Sequence, residues 1–182
     1  MSVGTARSGF PSGIPWRRGL GALLLAGALP AAACEEPDLT LPTAEQVVEH
    51  YPTPRELDIE LNGNVAEIRV YQPSDQLRRG GDLWAKVGPY IYLFSEGTRD
   101  LFDAYGGLAG VRVITRAPGG REVARALLAR DELNDIGWRR ALNIAGHARL
   151  EGTRRVTRIE ELVRWGEDHT TFEYHPDYVS GR

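Results

Sequence analysis

The chain has one cysteine, one lysine (Lys86) and no acidic residue before Glu35. A single thiol excludes an internal disulfide framework and any multi-cysteine zinc or iron–sulfur centre. Its 22 basic residues are outnumbered by 25 acids, and Arg7, Arg17 and Arg18 all precede the first acid, so the remainder is distinctly acidic. That balance lacks the concentrated positive face that non-specific nucleic-acid binding needs, and no nucleic-acid partner is expected. Long apolar runs are missing as well. The most apolar stretch, GLGALLLAGALPAAA at 19–33, is interrupted by glycines and Pro30. It falls short of the about 20 residues that a membrane-crossing helix requires. The whole chain is 42% hydrophobic and 26% charged, the composition of a folded domain rather than a disordered chain. Of the 182 residues, those after the N-terminal stretch suffice for one domain.

Arg17-Arg18, a short apolar core and small residues at its exit form a secretory signal. Ala31-Ala32-Ala33 runs directly into Cys34. This resembles the lipobox of bacterial lipoproteins, in which the cysteine thiol is acylated and becomes the new N-terminus, although Ala31 stands where leucine is commonest. The resemblance implies a signal peptide over 1–33, a lipidated Cys34 with a tether through 42, and a domain over 43–182. It places the protein in the cell envelope, anchored to a membrane and facing the periplasm or the outer surface. Glu35 follows the cysteine where Asp would imply inner-membrane retention, so the leaflet stays open. Cleavage by ordinary signal peptidase after Ala33 is the alternative, and it leaves a free thiol on a secreted protein. Gly21 spoils the apolar pair expected after a twin-arginine signal, which favours export as an unfolded chain. The resemblance covers residues 1–34 and says nothing of the domain.

Residues 35–42, EEPDLTLP, are acidic and proline-broken, the composition of an extended tether. Thr43 with Gln46 makes a capping box that opens a brief helix over 44–50, ending before Pro52. Leu57, Ile59 and Leu61 then alternate with acids, and Ala66, Ile68 and Val70 alternate beyond Asn62-Gly63. A two-residue turn on Asn62-Gly63 predicts a hairpin in which 57 faces 68 and 59 faces 66, with Glu56 meeting Arg69 on the polar face. Trp84, Val87, Ile91, Phe94, Thr98, Leu101 and Tyr105 are spaced by three and four, which predicts one helix over 82–105 kinked at Pro89 and closed by Gly106-Gly107. The competing reading makes 90–94 a short strand and Thr98 the cap of a separate helix.

Val111 and Val113 mark a strand, Pro118-Gly119-Gly120 a turn, and 121–130 either a second hairpin strand, which we favour, or an Ala-rich helix. Trp138, Ala141, Leu142, Ala145 and Ala148 predict a helix over 132–150 that stops near Gly152. Thr157 and Glu160 cap another, ending at Gly166, and 170–174 can add an edge strand. The sum is an α+β domain of two layers: a small antiparallel sheet from two hairpins, with helices on one face. Glu56, Asp58, Glu60, Glu67 and Arg69 make the other face polar enough to stand in water, which favours a monomer.

Residues that carry chemistry are sparse. Ser74, Ser95 and Ser180 are the serines of the domain, and none sits in a nucleophile elbow. The densest set of ligand-type side chains is C-terminal: Glu167, Asp168, His169, Glu173, His175 and Asp177. Imidazole and carboxylate suit zinc or manganese, which makes His169, His175 and Asp168 the candidate metal ligands. Yet a six-residue separation fits neither a helix face nor a known zinc motif, and a solvated polar end is the simpler reading. His50 closes the first helix and His147 lies off the apolar stripe, neither with a catalytic partner. Three arginine pairs, at 78–79, 139–140 and 154–155, suit a phosphate, lipid head groups or an acidic partner, but nearby acids offset them. Trp84, Trp138 and Trp165 read as core, and Tyr174 and Tyr178 as an exposed contact patch. No phosphate-binding fingerprint is present, no catalytic residue is assigned, and no cofactor is expected. These features point to a lipid-anchored, non-catalytic binding or assembly module that contacts an envelope protein or polymer. The alternative is an envelope hydrolase or metal enzyme built on the histidine- and acid-bearing C-terminus.

Overall fold

The structure is a computed structural model that describes residues 39–52 and 57–179. The signal, Cys34 and Glu56 lie outside the described residues. Helix α1 (Ala44–Glu49) opens with the capping box: Thr43 N donates to Gln46 Oε1 at 2.8 Å, Gln46 N donates to Thr43 Oγ1 at 3.3 Å, and His50 is the C-cap. Residues 39–42, read as the end of the tether, already lie against the domain. Gly107 N donates to the Thr40 carbonyl at 3.0 Å, and Pro42 is buried.

Five strands follow, with helices between them: β1 (Asp58–Asn62), β2 (Val65–Tyr71), α2 (Ser74–Leu93), α3 (Glu96–Ala104), β3 (Gly110–Arg116), β4 (Glu122–Ala129), α4 (Asp135–Glu151), α5 (Val156–His169) and β5 (Thr171–Tyr174). The strands lie in sequence order. β2 and β3 run parallel and the other neighbours antiparallel. The fold class is the expected α+β, with the sheet mixed rather than wholly antiparallel. Both hairpins are present, and 121–130 resolves as a strand. The parallel pair arises because α2 and α3 carry the chain back across the sheet, a crossover that two antiparallel strands would not need.

The first hairpin keeps its faces but shifts its register. Ile59 opposes Ile68, Leu61 opposes Ala66 and Asn62 pairs with Val65, so the turn is Gly63-Asn64, with Gly63 at a φ of 62°. A shift of two preserves the side-chain parity, so every apolar residue still points to the core. The expected register sets Asp58 against Glu67. The observed one sets Asp58 against Arg69.

Ala66, Ile68 and Val70 of β2, Val111 and Val113 of β3, and Ala124, Ala126 and Leu128 of β4 are buried on one sheet face. There α2 lies on β3 and β4, and α4 and α5 pack on α2. The opposite face carries charge. Arg69 bridges Asp58 at 3.4 Å, Glu60 at 2.7 Å and Glu67, and Arg112 reaches Glu67 at 3.2 Å. Glu67 is buried beneath these two arginines, whereas Asp58 and Glu60 stand in solvent, as expected for an uncovered face.

The expected single helix over 82–105 is two helices, and helical structure begins earlier, at Ser74. The kink lies at Gly81 (φ 57°, ψ −149°), a conformation open to glycine, while Pro89 is carried inside α2 without ending it. Ser95, not Thr98, caps the separate helix α3: its Oγ accepts from Thr98 N at 3.3 Å and donates to the Tyr92 carbonyl at 2.6 Å. Thr98 is instead fully buried, bonded to Tyr92 O and to the Tyr51 hydroxyl, both at 2.8 Å. Tyr90 to Phe94 is helical to Leu93, not a strand. Helix α4 stops at Gly152 as predicted. Helix α5 starts at Val156 with no side-chain cap and runs to His169, so neither Thr157 nor Gly166 has its expected role. Gly166 sits in close approach to Tyr90, where a Cβ would lie 2.4 Å from the ring.

Candidate functional site

The predicted C-terminal ligands are not gathered. His169 ends α5, its Nδ1 3.1 Å from Glu132 and its ring 4.1 Å from the Trp165 ring centroid. His175 follows β5, accepts at Nδ1 from Asp177 N at 3.2 Å, and meets Tyr178 edge-on. Asp168 is exposed and forms part of neither arrangement. Among the described residues no three His, Cys, Asp or Glu side chains are placed to hold a metal ion. The histidines serve as local staples at two ends of β5.

Tyr174 is likewise not an exposed contact. Its hydroxyl lies 2.5 Å from that of Tyr90 and donates to Glu167 at 3.1 Å, with the Lys86 ammonium 5.0 Å from its ring centroid. Tyr178 packs on the small cluster of Ala85, Ala117 and Val123. Trp138 is buried, as expected of core. Trp84 and Trp165 are half-buried against the core, with Arg140 lying over the Trp165 ring at 4.8 Å.

The concave features direct attention elsewhere. A recess of about 440 Å³ lies beside Leu39 and Gly107. Its one cation, Arg130, is occupied: it donates to the carbonyls of Leu108 at 2.6 Å, Phe102 at 2.7 Å and Tyr105. A second cleft, of about 390 Å³, opens at the carboxyl ends of the parallel strands β2 and β3, between α2 and the α4–α5 turn. Binding crevices in sheets with parallel strands favour that end, and the volume lies in the range of small-molecule sites. Trp84, Val87, Ile91 and Tyr92 from α2 form one wall, Ile159 of α5 the other, and Thr153 stands exposed in the α4–α5 turn that borders it.

Two polar groups interrupt this apolar lining. Gln72 is buried where β2 ends. Its Nε2 donates to the Trp84 carbonyl at 2.6 Å, which fixes the amide orientation, and its Oε1 is buried without a partner. Arg149, in the last turn of α4, donates through Nη2 to the Ile91 and Phe94 carbonyls, the latter at 2.9 Å. It thereby caps the end of α2, where the helix dipole favours a cation. Packing against that helix end lowers its pKa from the ordinary arginine value, yet the side chain as a whole remains exposed. No carboxylate among the described residues is in ion-pair contact with it, and none lines the cleft. Arg149 also borders a neighbouring recess of about 370 Å³, walled by Tyr51, Tyr92 and Glu96.

Sequence reasoning places Trp84 in the core and passes over Gln72 and Arg149. One signal was available for the arginine. Trp138, Ala141, Ala145 and Ala148 define the buried stripe of α4, and Arg149 falls four residues after Ala145, a charge at the stripe's margin.

Comparison with known proteins adds no relative: no family model, curated protein or solved structure matches the chain. Function must therefore be argued from the cleft and from the N-terminal sequence.

Proposed function

We propose that this chain is a lipid-anchored protein of the bacterial envelope whose domain is a non-catalytic binding module, with the cleft beside Gln72 and Arg149 as its binding site. The carrying observation is the chemistry of that cleft. Aromatic and aliphatic walls enclose two fixed polar groups, an arrangement that orients a ligand. Its lining holds no nucleophile paired with a base, the arrangement that covalent catalysis uses. Acylation of Cys34 fits this role, because confinement to a membrane surface raises the effective concentration of a domain toward partners on that surface.

The competing reading, a metal-dependent envelope enzyme, rests on His169, His175 and Asp168. Metal analysis of the purified full chain separates the two. The binding-module reading predicts substoichiometric zinc and manganese, unchanged in His169→Ala and His175→Ala. Stoichiometric metal lost in both variants overturns it.

A further inference from the structure

The cleft at the carboxyl ends of β2 and β3 has a sign as well as a shape. Its lining contains one charged side chain, Arg149, and no acid. Both protein bonds of the guanidinium use Nη2, so Nη1 and Nε have no protein partner among the described residues. With Nη2 committed, the Nη1 and Nε N–H groups remain as single donors, each able to make a charge-assisted hydrogen bond to an anionic oxygen. The α2 end that Arg149 caps carries about half a negative charge, and Glu96 in the adjoining recess also acts on the guanidinium, which together offset part of the cation's charge. Helix α5 adds positive potential: it starts three residues after Thr153, has no side-chain cap, and holds no acid in its first turn. Beyond the cation and the Gln72 amide the walls are largely apolar, formed by Trp84, Ile91 and Tyr92 of α2.

We infer that the cleft takes a small monocarboxylate with an aromatic or aliphatic body, a carboxylate oxygen on a free N–H of Arg149 and the body against Trp84, Ile91 and Tyr92. The proposal rests on the reading of this cleft as the binding site and deepens it. A positive apolar cleft discriminates by charge. A neutral analogue of the same shape keeps the wall contacts and loses the charge-assisted hydrogen bonds, and a cation is repelled.

Phenylacetate, its methyl ester and phenethylammonium supply the probes, measured on the full mature chain by ligand-observed NMR with detergent-only controls. Phenylacetate is expected to bind about tenfold more tightly than the ester, and phenethylammonium not to bind. Arg149→Met is expected to abolish the preference for the acid. Because Arg149 also caps α2, Thr153→Asp provides a second variant that leaves this cap intact. It sets a negative charge at the mouth and is expected to weaken phenylacetate about tenfold while leaving the ester unchanged. Equal binding of acid and ester, both blocked by Thr153→Trp, overturns the ligand class and leaves the binding site standing. Silence of all three probes at millimolar concentration overturns the proposal, and removes the cleft from the binding-module reading as well.

Discussion

The hydroxyl of Tyr90 lies 2.5 Å from that of Tyr174, which ties the last turn of α2 to the closing strand β5. Tyr174 passes the link to Glu167, and Lys86 meets the same carboxylate at 3.3 Å. Burial pushes the Tyr90 hydroxyl up from 10.0 to about 12, and burial also raises Tyr174. Both groups therefore hold their protons more tightly folded than unfolded. Their contribution to stability is complete below about pH 10 and is lost as the pH climbs toward 12. Thermal unfolding followed across alkaline pH should show a midpoint that falls steeply in this window. The Tyr90→Phe, Tyr174→Phe double variant should show a shallower fall, and identical slopes would contradict the assignment.

Gly166 faces the same tyrosine. A Cβ at this position would stand 2.4 Å from Tyr90 Cδ1, in the interior of the packed layer. Alanine is the better helix former by about 1 kcal/mol, but overpacking a core costs roughly 1–3 kcal/mol. Gly166→Ala is therefore expected to destabilise by about 1 kcal/mol in urea unfolding. A gain in stability would show that the ring moves aside without cost.

The first hairpin shows what the sequence made legible and what it did not. Alternation fixes which face of a strand is buried, so the parity of β1 and β2 was readable. The turn position was not, because Asn62-Gly63 and Gly63-Asn64 both give the same faces. The spacing from Trp84 to Tyr105 stays helical across Ser95, because α3 continues the buried side of α2 after the break. The break itself depends on Tyr51, Thr98 and Tyr92 meeting through the fold. Parallel pairing of β2 with β3 has no local signal. Nor does the cleft, since Gln72, Arg149 and Ile159 are brought together only by packing. Histidines and acids close in sequence looked like a ligand set, but β5 separates His169 from His175.

Arg130 holds the shelf on which Thr40 docks. Its guanidinium donates to three carbonyls, those of Phe102, Tyr105 and Leu108, and lies 5.1 Å from the Phe102 ring centroid. Arg130→Met leaves these carbonyls without their charged donor, a loss of about 3 kcal/mol. Equilibrium unfolding should report that loss, with Arg130→Lys recovering only part of it, because an ammonium cannot reproduce the fork. Full recovery in lysine would mean that charge alone matters.

On the open sheet face, Glu67 is buried beneath Arg69 and Arg112. Hydrogen bonds and paired charge hold Arg69 above its ordinary pKa, so it remains a cation throughout. Arg69→Met should cost about 2 kcal/mol, because it leaves a buried carboxylate with one partner. Adding Glu67→Met should restore most of that loss. A double-mutant cycle with no coupling between the two would contradict this account.

The central claim is a binding domain held at a membrane by Cys34. Its most direct test is the N-terminal peptide mass, with membrane fractionation, of wild type and Cys34→Ala. The account predicts a wild-type chain that begins at an acylated Cys34 and sediments with membranes, and a variant that does neither. A soluble wild type carrying an unmodified thiol would contradict it.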